Sequence, residues 1–83
     1  MEEKISVEVR LFAHLRDLLQ PEKRGVEKLE VSPNLTIDEL MDEIGIVNKE
    51  IMIVMINGRR KTSHKDKVSK GDRISIFPPV GGG

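Results

Sequence analysis

The segment Leu35-Thr36-Ile37-Asp38-Glu39-Leu40 starts a helix more firmly than any other stretch of this chain, and the rest of the fold has to be built around it. Thr36 and Glu39 have the spacing of a capping box, in which each side chain satisfies a backbone N–H of the other's end of the first turn. Leu35 and Leu40 stand where a hydrophobic staple would fix the entry of the chain. Ile37, Leu40, Met41 and Ile44 then recur at i, i+3, i+4 and i+7, and Gly45 offers a left-handed stop. A helix with one apolar stripe must lay it on something, and everything else in the sequence that has a clear period reads as strand.

Ile5, Val7, Val9 and Leu11 alternate with Ser6, Glu8 and Arg10, which predicts a strand with one buried face over residues 4–12. Leu15, Leu18 and Leu19 fall at helical spacing before Pro21 and predict a short helical turn that folds a lid of leucines over one end of the core. Residues 21–25 read as a loop, and Leu29 and Val31 alternate with Lys28 and Glu30 in a second short strand ending near Pro33. The unbroken apolar run Ile51–Ile56 reads as a strand entering a tight type I′ turn at Asn57-Gly58, which predicts a hairpin. Lys70-Gly71-Asp72 marks another turn, and Ile74 and Ile76 make the final strand. The expected fold is α+β: one sheet with a single main helix across it, residues 1–77 forming the domain and 78–83 a flexible tail.

At 83 residues there is room for one small core and little room for a deep substrate pocket, so any enzymology is shared with a larger partner. A formal net charge of zero gives no general attraction to nucleic acid or to an anionic membrane. No apolar run would span a bilayer, and the charged N-terminal residues do not suit a signal peptide; a cytoplasmic protein is expected. With no cysteine the chain has no disulfide, no thiolate nucleophile and no zinc–thiolate site. His14 and His64 lack a second ligand at metal-binding spacing, so no metal is assigned.

The last residues, Phe77-Pro78-Pro79-Val80-Gly81-Gly82-Gly83, are where chemistry is expected. Glycine has no Cβ, so an extended run of it threads a slot too narrow for any other residue. Fully extended, Pro79 to Gly83 reaches roughly 17 Å, enough to carry the Gly83 carboxylate into another protein's active site. The alternative is a glycine-rich end without function.

Strand parity places the two aromatics of the chain, Phe12 and Phe77, on the face opposite the core positions. If the first and last strands are parallel neighbours, both rings lie together beside the exit of the tail, as a docking patch. Alternatively both close off the end of the core. The stretch holding Arg59, Arg60, Lys61, His64, Lys65, Lys67, Lys70 and Arg73 is locally basic, either a solvated face or a dock for an acidic partner.

Taken together, Phe12-Ala13-His14-Leu15-Arg16-Asp17-Leu18, Ile56-Asn57-Gly58, Gly71-Asp72-Arg73-Ile74 and the Phe77–Gly83 ending resemble the small subunit of molybdopterin synthase, in the ubiquitin-like β-grasp superfamily. The resemblance covers essentially the whole chain, and the Pro-Pro-Val-Gly-Gly-Gly end is its most specific part. It implies a non-catalytic, sulfur-donating subunit with no bound cofactor. A ubiquitin-activating-type adenylyltransferase would consume ATP to adenylate Gly83, and sulfur would then replace one oxygen to give a thiocarboxylate. The large synthase subunit would receive the tail, with Gly81 and Gly82 permitting the close fit, Val80 completing the motif, and Pro78 and Pro79 limiting the entropy lost on threading. Phe12, Phe77 and Arg60 are the expected partner contacts. The thiamine-pathway sulfur carrier shares the terminal Gly-Gly, and a ubiquitin-like modifier joined to lysines through Gly83 is a further alternative. An interaction domain with an inert tail belongs to a third class.

Overall fold

The structure is a computed structural model, which describes residues 3–79. Five strands form one mixed sheet: β1 (Ile5–Leu11), β2 (Val26–Val31), β3 (Ile53–Ile56), β4 (Arg59–Lys61) and β5 (Arg73–Phe77), in the order β2-β1-β5-β3-β4. One α-helix, α1 (Ile37–Ile44), is the main helix, as expected. Two antiparallel hairpins, β1–β2 and β3–β4, flank β5, which pairs parallel to β1 and antiparallel to β3. The last strand in sequence is therefore the middle strand of the sheet.

The helix is bounded as its sequence dictates. Thr36 Oγ1 accepts from the Glu39 N–H, and the Glu39 carboxylate accepts from the Thr36 N–H at 3.0 Å, completing the capping box. The N–H groups of Ile37 and Asp38 donate to the carbonyls of Asp66 and His64, so the loop after β4 satisfies donors that a helix start would leave open. Gly45 ends the helix at φ 100°, a conformation that costs glycine least. Lys49 then reaches back to Asp42 at 2.6 Å and Asp38 at 3.2 Å.

The core is the alternating face of the sheet against the helix stripe. Val7, Val9 and Leu11, Ile74 and Ile76, and Val54 and Ile56 meet Ile37, Leu40 and Met41, all buried. Complete burial of a side chain such as Leu40 contributes about 1.5–3 kcal/mol. Leu40→Ala, which would also leave a cavity, is a change of about 2–5 kcal/mol.

Three expectations are corrected. The run from residue 51 to 56 is not all strand: Lys49–Ile51 is a 3₁₀ turn entered from Asn48 in the left-handed region (φ 54°), and β3 starts at Ile53. Periodicity could not locate that start, because every residue of the run is apolar. The leucine lid is only partial: the chain makes a 3₁₀ turn at Ala13–Leu18, Leu15 is buried and Leu19 half-buried, but Leu18 faces solvent. The expected loop at 21–25 opens with a 3₁₀ turn at Pro21–Lys23 before β2 begins at Val26.

Candidate functional site

The site is built where β1 and β5 end side by side. Their parallel register places Leu11 opposite Ile76, so the next residues are neighbours: Phe12, just past the end of β1, and Phe77, the last residue of β5. Their rings stack with centroids 4.2 Å apart and planes 15° from parallel. Phe12 is 37% exposed and Phe77 half-buried, so the pair sits at the surface instead of closing the core. Immediately after Phe12 the backbone turns through Ala13 at φ 55°, a left-handed conformation that costs an alanine roughly 1–2 kcal/mol. That turn starts the 3₁₀ segment while Phe12 itself stays extended.

On the same open face, register carries the surface across the sheet. Ile53 pairs with Phe77, and one row further Arg10, Ser75, Met55 and Arg60 lie side by side on β1, β5, β3 and β4, with Val26 of β2 beyond Arg10. Residues paired in register share a face of the pleat. Ile53 and Met55 are half-buried and Val26 is exposed, so the face has an apolar centre with arginines around it. The structure thus brings Phe12, Phe77 and Arg60 onto one face. Ile53, Met55 and Val26 belong with them and were missed. For Ile53 and Met55 a signal was present, since an apolar run with no polar alternates marks apolar surface on both sides of a strand; Val26, between Gly25 and Glu27, had none.

Charge on this face is partly fixed. Glu8 accepts from Arg10 at 2.8 Å and faces Arg73 at 3.3 Å. The hydrogen bond from Arg10 does most to hold its carboxyl below the ordinary 4.5; desolvation opposes it, and the charges of Arg10, Arg73 and Lys28 each add a smaller lowering effect. Arg60 has no ion pair among the described residues. The basic stretch does not gather into one cluster: Arg73 turns to Glu8 and Lys61 lies 3.8 Å from Asp66. Arg60, Lys61, His64 and Lys65 do share a groove with Asp38 and Glu50.

Pro78 and Pro79 follow directly on β5. Val80, Gly81, Gly82 and Gly83 lie outside the described residues. Among the described residues no group of histidine and carboxylate side chains could hold a metal, and no helix is long and apolar enough to cross a membrane.

A mixed five-stranded sheet with one main helix across it is the ubiquitin-like β-grasp fold. The ThiS family matches residues 9–83, and the chain belongs to that family. Among solved structures it is similar to a putative molybdopterin converting factor subunit 1 from Pyrococcus furiosus (26% identity, TM-score 0.68, covering 92% of this chain and 99% of that one). It is also similar to SAMP1 from Haloferax volcanii (21% identity, TM-score 0.66, 94% and 99% covered). A third is the complex of subunits 1 and 2 of the molybdopterin-converting factor from Helicobacter pylori (24% identity, TM-score 0.57, 95% and 100% covered). No curated protein sequence matches.

Proposed function

We propose that this chain is the sulfur carrier subunit of molybdopterin synthase, acting through the carboxylate of Gly83. The observation that carries the reading is the stacked Phe12–Phe77 pair on the open face at the base of the family's glycine tail. Phe77, Ile53, Met55 and Arg60 supply the aromatic, Met and Arg composition that protein interfaces favour, and the free Arg60 suits a carboxylate on the partner. The Helicobacter pylori complex supports a second, larger subunit as the receiver.

The chemistry asks nothing of this chain's side chains. The Gly83 carboxylate attacks the α-phosphorus of ATP on an adenylating enzyme, pyrophosphate leaves, and the acyl-adenylate becomes open to nucleophiles that a carboxylate resists. The outer sulfur of a persulfide displaces AMP to give an acyl disulfide, and a second thiol attacks the donor's sulfur, forming a new disulfide and releasing the thiocarboxylate. The large subunit then directs that sulfur to a pyranopterin precursor in molybdenum or tungsten cofactor synthesis. The domain's contribution is position: the central strand of the sheet and the two prolines after it aim the glycine end.

Intact-mass measurement after incubation with ATP, an adenylating enzyme and a sulfur donor tests this reading; exchange of oxygen for sulfur at the terminus is expected. Removing Gly83 should abolish the exchange without loss of the fold. The likeness to SAMP1 favours a second reading, in which the activated Gly83 is joined to lysine amines. Isopeptide adducts in place of the thiocarboxylate would decide for it, and sulfur delivery to a thiazole precursor instead of a pterin would indicate the thiamine branch.

A further inference from the structure

Three large apolar side chains that the fold leaves in water converge on one concavity away from the stacked phenylalanines. Leu18 is 42%, Val47 75% and Ile51 53% exposed. With Met52, Pro78 and Pro79 they line a groove of about 310 Å³, on the side of the sheet where α1 ends. Its polar side chains are His14 and Asn48, and none of its lining residues is an aspartate, glutamate, lysine or arginine. In a chain that is 34% charged, an uncharged surface of this kind is selected for contact, not for solubility.

Pro78 and Pro79 are shared between this groove and the base of the tail. Four residues follow Pro79, and fully extended they span roughly 13 Å. An enzyme that acts on the Gly83 carboxylate must enclose those residues, so its surface closes around Pro79 and arrives against the groove wall. We propose that the groove is a second docking point for the tail-adenylating enzyme, and that it receives an apolar side chain from the mouth of that enzyme's tail slot. The inference rests on the carrier reading above. Holding the tail's base from two sides, the phenylalanine face and this groove, fixes the rotation of the domain about its tail and hence the aim of the carboxylate. The uncharged lining selects an apolar contact, and the solvent-facing position of Val47 and Ile51 makes it available without rearrangement.

The test uses the full chain, ATP and the adenylating enzyme of the same organism, with pyrophosphate exchange as readout. The double variant Val47→Lys, Ile51→Lys should raise the KM for the carrier about tenfold, the scale of a lost interface anchor, with kcat and the melting midpoint held. A photoreactive side chain at position 47 should crosslink to the enzyme. An unchanged KM in the double variant, with the wild type adenylated normally, overturns the groove and leaves the carrier reading standing. A wild-type dimer that the double variant abolishes also overturns it, assigning the groove to a second copy. Absence of any adenylation of the wild type overturns both.

Discussion

Asn57 ties the β3–β4 hairpin to the start of the central strand: its Nδ2 donates to Asp72 Oδ1 at 3.0 Å, and its Oδ1 accepts from the Arg73 N–H at 2.9 Å. It does so while holding φ 53° as the first residue of the Asn57-Gly58 turn. One side chain thus joins the hairpin turn to Asp72 and Arg73, fifteen and sixteen residues further along the chain. Asp72 is occupied on its other oxygen by the Ser69 N–H.

Asn57→Ala should therefore cost about 2–4 kcal/mol, from two lost hydrogen bonds and a left-handed alanine. Asn57→Gly, which keeps the turn but not the bonds, should recover part of that loss. Chemical denaturation of the two variants separates the contributions; equal loss in both would assign the whole effect to the side-chain bonds.

Gly25 is closed to substitution. It holds φ 80°, and a Cβ there would lie 2.6 Å from the Leu11 carbonyl oxygen and 3.0 Å from Cγ of Arg16. The Leu11 N–H also donates to the Gly25 carbonyl at 2.7 Å, so the backbone cannot retreat without breaking the β1–β2 ladder. Gly25→Ala should destabilise by about 2–3 kcal/mol, measured by urea unfolding. A change within about 0.5 kcal/mol, as at an ordinary surface site, would contradict this account.

The stacked phenylalanines should couple. A double-mutant cycle with Phe12→Ala and Phe77→Ala should give an interaction of about 0.5–1.5 kcal/mol in stability. Phe77→Ala should weaken partner binding more than it lowers the stability of the free chain. Calorimetric titration beside thermal melting checks it; a melting loss with unchanged affinity would make Phe77 a structural residue.

Acid should loosen the open face through Glu8. Its pKa is lower in the folded chain than the ordinary 4.5, so the stability it contributes is present above about pH 4.5 and is lost as pH falls through the folded value. Lys49 runs the other way. The hydrogen bond it donates to Asp42 does most to raise its pKa above the ordinary 10.5, desolvation opposes and Asp38 adds to the rise, so its contribution is complete below about pH 10.5 and is lost as pH rises through the folded value. Glu8→Gln should flatten the acid limb of a melting-temperature profile and leave the alkaline limb unchanged, and Lys49→Met should do the reverse.

The parts of this structure that could be read from sequence are those decided by near neighbours. The helix cap is made by Thr36 and Glu39 themselves, and the Asn57-Gly58 turn needs only their own backbone freedom. Parity along β1 and β5 placed Phe12 and Phe77 outside the core, and the stacked rings agree. What failed depended either on a backbone turn that its residue types do not announce or on distant residues. Whether Ile51 joins a strand is decided by the left-handed Asn48 and the turn after it, and the exposure of Leu18 by which residues come to lie beside it. The gathering of Val26, Met55 and Arg60 with the phenylalanines exists only once four strand registers are set. The groove at Val47 likewise needs the end of α1 and the two prolines to be neighbours.

Placing β5 between β1 and β3 has a consequence for how the molecule is made. A ribosome delivers the strand that joins both hairpins last, so neither hairpin can be locked to the other until Phe77 has emerged. On the proposed reading, in which Gly83 carries the chemistry, the residues beyond Pro79 are therefore presented only by a domain in which the strand joining both hairpins is already in place.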